Sequence, residues 1–276
     1  MLTMEGLGYG CRDNGLLFAL NAQMWSVQHL LLTAGMSAQK ARYLPSLISG
    51  DLLGAHAMTE PDAGSDAYGI TTRAEKCPNG YRLNGNKTFI THAPVADMVI
   101  VFATTDPQKG MWGLTAFLVD KGTPGFTIGR TIDKMGLRTA PMGELAFADC
   151  VVPEAQRLGA QGGAARLFEN AMTCERSGIL ASHIGAMERQ LETCITYART
   201  RRQFNQPIGQ FQSVSNRIAD MKVRLETARL LLYQVAWLRQ QGQAAALEAA
   251  MAKLYLSESF MQSSIRLLYT SDAAEE

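Results

Sequence analysis

The apolar residues of this chain change their spacing twice along its length. Residues 1–53 and 161–267 carry helical patterns, whereas residues 54–155 carry short apolar or β-branched runs punctuated by glycine and proline. Long amphipathic helices with short connections are typical of antiparallel bundles, and closely spaced short strands are typical of antiparallel sandwiches or barrels. The sequence therefore predicts an α+β chain with an N-terminal helical segment, a central antiparallel β-sandwich or barrel, and a C-terminal antiparallel helical bundle.

Local signals refine this division. Asn79-Gly80 and Asn84-Gly85 are turn dipeptides on either side of Tyr81-Arg82-Leu83, and together they predict a hairpin. Ser37 is expected to cap a helix that ends at Gly50, with a bend at Pro45. In the C-terminal region one apolar stripe steps by three or four residues: Val214, Ile218, Met221, Leu225, Ala228, Leu232, Val235 and Leu238.

Composition argues against several classes of function. The 26 Lys and Arg residues nearly balance the 25 Asp and Glu residues, so the charge gives no case for binding nucleic acid or an anionic membrane. Residues 14–39 are uncharged, but polar residues interrupt them, which predicts a buried helix rather than a membrane span. The 5 Cys are widely spaced and form no C-x-x-C pair, so we expect free thiols, no metal site and a cytoplasmic protein.

Residues 58–66 read Met-Thr-Glu-Pro-Asp-Ala-Gly-Ser-Asp. This pattern predicts a strand that ends in a loop of small and hydroxyl side chains. Gly64 permits close approach to the backbone, and the Ser65 hydroxyl lies beside it. Such a loop suits a phosphate or a planar heteroaromatic ring, although the same residues also occur in an ordinary capped turn.

The run resembles the first signature of the acyl-CoA dehydrogenase family of flavoproteins. Further segments continue the resemblance in the family's order, from about residue 5 to about residue 265: Lys87-Thr88-Phe89-Ile90-Thr91, Lys134 to Thr139, Phe147 to Pro153, Tyr197 to Phe204, and Pro207 to Gln212. The helix–strand–helix order agrees with the family fold independently.

The resemblance implies that FAD is bound noncovalently. By that resemblance the flavin ring and phosphate tail would contact Met58, Thr59, Gly64, Ser65, Phe89, Ile90 and Thr91. A second group matches residues that reach the FAD of a neighbouring subunit: Arg201, Gln203, Phe211 and Gln212. A homodimer or homotetramer is therefore implied.

The resemblance also implies the reaction, which is α,β-dehydrogenation of an acyl thioester such as acyl-CoA. A carboxylate removes the α-proton while the β-hydride moves to flavin N5, and an electron-transfer flavoprotein then accepts the electrons. Glu175, directly before Arg176, matches one of the family's two locations for the base. The alternatives are a structural Glu paired with Arg176, or a base in the family's other location, beyond this chain. Ser65, Thr173 and Arg176 match substrate-pocket positions.

Three other functions remain open: dehydrogenation of acyl or aminoacyl groups, including prolyl, on a carrier protein; a flavin oxidase or monooxygenase on the same fold; and an inactive fragment. His92-Ala93-Pro94 departs from the family pattern and is expected to be a tolerated loop substitution. The implied domains are a partial N-terminal helical domain (1–53), a β-domain for flavin and thioester (54–155), an incomplete bundle (156–267) and a non-native tail (268–276).

Overall fold

A computed structural model of the chain describes residues 1–270, with side chains through Leu267. The chain forms two compact units. One unit, the sheet unit, is the continuous stretch from Phe18 to Glu175, and the other, the helical unit, combines residues 1–17 with the chain from Arg176 onward. Within residues 1–270, no helix is both long and apolar enough to cross a bilayer.

The N-terminal residues are helical, as the sequence predicts. Helix α1 spans Leu2–Gly10, and α2 (Asn14–Ala22) continues through a π-helical turn (Gln23–Gln28) into α3 (His29–Ala34). Helix α4 spans Ser37–Ser49 and runs through Pro45 to Gly50, whose φ of 87° ends it.

The predicted cap of α4 is wrong. Ser37 is the first helical residue, and Met36 occupies the cap position. The Met36 backbone N–H donates to Gln39 Oε1 at 2.9 Å, so the third helical residue bonds back to the cap residue.

The central region forms one sheet. Its strands are β1 Gly54–Ala57, β2 Arg73–Cys77, β3 Gly80–Thr91, β4 Met98–Thr104, β5 Leu114–Asp120, β6 Phe126–Thr131, β7 Met142–Val152 and β8 Arg157–Leu158, in the order β6-β7-β3-β2-β4-β5-β8 with β1 beside β4. The sheet is antiparallel except where β4 runs parallel to β1 and, at one residue pair, to β2. The fold class is confirmed, and the prediction of a wholly antiparallel sheet is corrected at β1.

Strand β4 is buried on both sides. Val99 and Val101 belong to a core made mostly of strand residues such as Leu83. Ile100 and Phe102 belong to a second core that the N-terminal helices cover. Side chains alternate between the two faces of a strand, and both faces of β4 are buried. The sequence of β4 is therefore a continuous apolar run rather than an alternation of apolar and polar residues.

The two turn dipeptides have different structures. Asn79-Gly80 lies at the β2–β3 hairpin turn, as predicted. Asn84-Gly85 lies inside β3, where the register against β7 shifts between Leu83 and Gly85. Gly85 has a φ of 151°, and a Cβ there would lie 2.5 Å from Thr72 Oγ1. The second dipeptide therefore forms a β-bulge and not a turn.

The C-terminal region is a set of long helices, as predicted. They are α5 Ala164–Gly178, α6 Ala181–Thr200, α7 Gln212–Gln240 and α8 Ala246–Thr270. Pro207 and Gly209 separate α6 from α7, in a segment that also holds the short strands β9 (Arg202–Gln203) and β10 (Gln206–Pro207). Residues 268–270 of the expected non-native tail continue α8, and residues 271–276 lie outside the described part of the chain.

Candidate functional site

A cavity of about 240 Å³ lies within the unit formed by residues 18–175. Four separate segments contribute its walls: α2 with the π-helical turn, β1 with the loop after it, the end of β3, and α5. These segments bring together many of the predicted site residues, which are far apart in sequence: Met58, Thr59, Gly64, Phe89, Ile90, Thr91 and Glu175.

Strand β3 reaches the cavity with an unusual backbone. Phe89 has a φ of 55° and His92 a φ of 69°, a left-handed conformation that is rare for a bulky side chain. The Phe89 side chain is 60% exposed although it lines the cavity. Strained backbone of this kind clusters at binding and catalytic sites, which makes the end of β3 a candidate contact surface.

A buried ion pair joins two of the cavity segments, the end of β3 and the loop after β1. Lys87 Nζ lies 2.8 Å from Glu60 Oε1, and the two side chains are 0% and 4% exposed. The same Nζ donates to the Met58 carbonyl at 2.9 Å. One residue further along, the Thr88 N–H donates to the Thr59 carbonyl at 3.0 Å. The end of β3 is therefore fixed to the loop after β1 by a charge pair and two further hydrogen bonds.

Glu60 also closes the loop that contains Gly64 and Ser65. Its Oε2 accepts from the Thr71 N–H at 2.7 Å and the Thr71 hydroxyl at 2.8 Å, and its Oε1 accepts from the Thr72 N–H at 3.0 Å. Burial alone would raise the pKa of Glu60, but the charge and hydrogen bond of Lys87 outweigh it and lower that pKa to about 2. Burial lowers the pKa of Lys87 to about 8 against the opposing effect of Glu60.

Two histidines line the cavity, and sequence reasoning assigned neither to the site. His56 on β1 packs edge-on against Phe102, with ring centroids 4.9 Å apart, and lies parallel to Phe168 at 6.1 Å. Burial, helped by the charge of Lys87, lowers the pKa of His56 to about 4, so its imidazole is neutral at pH 7. His92, expected to be a tolerated loop substitution, is a buried wall residue.

His92 is held by the strand beside it. Its Nδ1 lies 3.0 Å from the Gly54 carbonyl, and burial lowers its pKa despite that bond. Because a carbonyl accepts only from a donor, Nδ1 carries the proton of the neutral ring. The signal available in the sequence was a histidine directly after a predicted flavin segment.

Helix α5 supplies one wall of the cavity. Phe168, Met172 and Glu175 follow one another by four and then three residues, so they share one face of the helix. Glu175 Oε2 is shielded from solvent. The candidate base is therefore a carboxylate on a largely apolar helix face.

The remaining predicted residues are not among those lining the cavity. Ser65 is exposed beside Gly64, and the Thr173 hydroxyl donates to the Glu169 carbonyl. Arg176, which follows Glu175 on α5, is exposed. In the helical unit, Phe211 is half-buried with its ring 6.0 Å from that of Phe204, and three residues are exposed: Arg201, Gln203 and Gln212.

Comparison with known proteins gives two family matches that together account for most of the chain. The profile described as "Acyl-CoA dehydrogenase, middle domain" matches residues 55–150. The profile described as "Acyl-CoA dehydrogenase, C-terminal domain" matches residues 162–268. The chain belongs to the acyl-CoA dehydrogenase family.

Within this family the chain is similar to proteins that act on carrier-bound proline. It is 46% identical to an L-prolyl-[peptidyl-carrier protein] dehydrogenase from a Serratia species, over 99% of this chain and 71% of the relative. A solved structure described as "PigA with FAD and proline" matches with a TM-score of 0.97 and 45% identity, over 100% of this chain and 72% of the other. A third match is described as a prolyl acyl carrier protein oxidase, AnaB, with a TM-score of 0.95 and 48% identity, over 97% and 71% of the two chains.

Proposed function

We propose that this chain catalyses FAD-dependent dehydrogenation of a prolyl group held as a thioester on a carrier protein. The observation that carries the proposal is the shared cavity, in which Glu175 faces the same space as Met58, Thr59, Phe89 and Thr91. The similarity to prolyl dehydrogenases over almost the whole chain supports the substrate class.

The wall residues suit a flavin ring. Phe89 offers an exposed aromatic face, and the half-buried hydroxyls of Thr59 and Thr91 can hydrogen-bond a heterocycle edge. Gly64, with no atom within 4 Å of where its Cβ would be, leaves room beside the loop backbone. FAD, when bound, supplies the two-electron acceptor of the reaction.

Glu175 is the proposed base. The α-proton of a thioester is weakly acidic, so its removal needs a carboxylate placed close to the Cα–H bond. Phe168 and Met172 precede Glu175 on the same face of α5, and the Oε2 of Glu175 is shielded from solvent. In this proposal a Glu175 oxygen accepts the α-proton, and the Phe89 and Thr91 segment holds the electron acceptor against the substrate.

The proposal has two versions, which differ in the molecule that accepts the electrons from the reduced flavin. An electron-transfer flavoprotein would make the chain a dehydrogenase, whereas direct reaction with oxygen would make it an oxidase. The similarity to a protein described as an oxidase favours measuring both. Mixing the substrate-reduced protein with oxygenated buffer or with electron-transfer flavoprotein separates the two versions by the rate at which the flavin bands return.

The substrate is tested by flavin bleaching without oxygen. Prolyl-carrier protein is expected to bleach the flavin bands faster than a panel of acyl-CoA thioesters. Faster bleaching by an acyl-CoA would replace the carrier-protein substrate with acyl-CoA. A purified chain without flavin bands, even after incubation with FAD, would contradict the cofactor assignment.

The base is tested by Glu175→Gln, which preserves shape but cannot accept the proton. We expect the variant to retain flavin bands and to lose about 10²–10⁴-fold in bleaching rate. Glu169→Gln is the matched control, because Glu169 lies on the same helix, is exposed and does not line the cavity. Bleaching at the parent rate in Glu175→Gln would move the base elsewhere.

The second group of predicted cofactor residues is proposed to act across a subunit interface. Arg201, Gln203 and Gln212 are exposed in the single chain, so a homodimer or homotetramer would give them a role at a neighbouring FAD. Light scattering coupled to gel filtration should give a mass of at least two chains. Arg201→Ala should weaken FAD retention, and a fully active monomer would contradict the assignment.

A further inference from the structure

Strand β1 presents a histidine to the cavity. Because side chains alternate along a strand, the His56 side chain points to one side of β1, and Ala55 and Ala57 pack in the sheet core on the other. The His56 ring packs against the rings of Phe102 and Phe168, and Met172 lines the same cavity. A polar ring in this wall needs a physical explanation, since an aliphatic side chain would pack there equally well.

The His56 ring has one nitrogen to spare. Nε2 is buried, and among residues 1–270 it has no hydrogen-bond partner. Burial lowers the pKa of the ring to about 4, so at pH 7 the ring is neutral and one of its two nitrogens is an acceptor. In the tautomer that carries the proton on Nδ1, Nε2 is an acceptor that a ligand in the cavity can use.

We propose that His56 is a specificity-determining residue whose Nε2 accepts a hydrogen bond from the ring N–H of a prolyl substrate. This inference rests on the proposed function and adds the group that distinguishes proline from an all-carbon acyl chain. Burial of an unpaired acceptor is costly, and a bound prolyl ring removes that cost by donating its N–H. A carbocyclic acyl group of the same shape has no donor and leaves Nε2 unpaired.

The test compares two substrates that differ in one atom. Prolyl and cyclopentanecarbonyl groups are loaded on the same carrier protein, and anaerobic bleaching gives a rate and a dissociation constant for each. For the parent chain we expect a preference for prolyl of at least about 100-fold, because sites built to hydrogen-bond a substrate reject analogues that lack the group. In His56→Phe the preference should fall to about tenfold or less, mainly through loss with the prolyl substrate.

Two variants control for folding. His56→Asn keeps a hydrogen-bonding side chain and should retain part of the preference if His56→Phe does not fold. His183→Phe removes a second histidine whose pKa is lowered by burial, this one in the helical unit, and should leave the preference unchanged. Binding without turnover gives an independent readout, since L-prolinamide should shift the ¹⁵Nε2 resonance of His56 and cyclopentanecarboxamide should not.

The outcomes separate this inference from the proposed function. Equal losses with both substrates in His56→Phe would show a structural role and overturn the inference, while prolyl dehydrogenation stands. Equal turnover of both substrates by the parent chain would overturn it as well. A parent chain that bleaches with neither substrate would reject the proposed function and this inference together.

Discussion

The two units of the molecule hold their charges in different ways. In the unit of residues 18–175, Glu60 and Lys87 are fully buried and form one pair. In the helical unit, Arg229 on α7 binds Glu5, Glu188 and Glu226 at 2.8, 2.7 and 3.1 Å, and its side chain is 17% exposed. The Glu60–Lys87 arrangement is a single ion pair shielded from water. The arrangement around Arg229 is a cluster of charges that water partly reaches.

The difference teaches what each arrangement contributes. A buried pair gains little net stability because the desolvation of both charges offsets their attraction, but removal of one partner leaves a charge with no compensation. Lys87 also bonds the Met58 carbonyl, so the pair fixes the geometry of the cavity walls. Around Arg229 three carboxylates share one guanidinium, and water can replace a lost contact.

The largest expected effect is that of Lys87→Met. Glu60 would keep its bonds to Thr71 and Thr72 but lose its countercharge, which should lower the free energy of unfolding by about 3 kcal/mol. Urea denaturation gives that value, and flavin absorbance after gel filtration should show weaker retention of FAD.

Two further variants sharpen this result. The double variant Lys87→Met/Glu60→Gln should recover part of the lost stability, because it removes both charges. Lys76→Met, at an exposed ion pair with Glu154, should change the free energy of unfolding by less than about 1 kcal/mol. A Lys87→Met protein as stable as the parent would contradict a positioning role for the pair.

Much of this fold could be predicted from residue spacing. Helical stripes and turn dipeptides located the sheet and the helices because those patterns depend on neighbours close in sequence. The turn predicted at Asn84-Gly85 was wrong because the same dipeptide suits both a turn and a β-bulge. Which of the two forms depends on the register of β3 against β7. The prediction for Ser37 was wrong because the helix begins one residue earlier than expected, with Met36 as the cap residue.

The cavity was predicted less completely. Motifs identified the segments around Met58 and Phe89, but His56 was missed because its neighbours are distant in sequence. The side of β1 on which it lies, the contact with Phe168 and the absence of a partner for Nε2 among the described residues depend on tertiary packing. A lone histidine in an apolar run carries none of that information.

Acid pH should weaken both units. Burial lowers the pKa of His56 and of His183 to about 4, compared with about 6.5 in an unfolded chain. Between those values the unfolded chain holds a proton at each ring that the folded chain excludes, so stability falls as pH falls. The loss is about 1.4 kcal/mol per pH unit for each histidine.

Urea denaturation at pH 7, 6 and 5 measures this slope. His56→Phe should remove the part that comes from the sheet unit, and His183→Phe the part from the helical unit. Glu60 contributes nothing in this range, because its lowered pKa matters only below about pH 4.5. If the free energy of unfolding has the same slope against pH in the parent and in both variants, the histidines are not the cause of the loss of stability at acid pH.

The smallest expected effect is that of Arg229→Leu. Removal of the guanidinium from this partly exposed cluster should lower the free energy of unfolding by about 1 kcal/mol. Added salt should reduce the difference between parent and variant, whereas the effect of Lys87→Met should not depend on salt. An effect of Arg229→Leu larger than that of Lys87→Met would reverse the comparison between the two units.

The split of the helical unit between residues 1–17 and the chain from Arg176 onward affects the order of events during synthesis. The sheet unit is continuous, so it can fold as soon as Glu175 leaves the ribosome. Helix α1 packs close to α6, since a Cβ at Gly185 would lie 2.0 Å from the Glu5 carbonyl oxygen. At ribosomal speeds α1 therefore waits roughly ten to forty seconds for that partner, and chaperones are expected to meet the nascent chain in this interval.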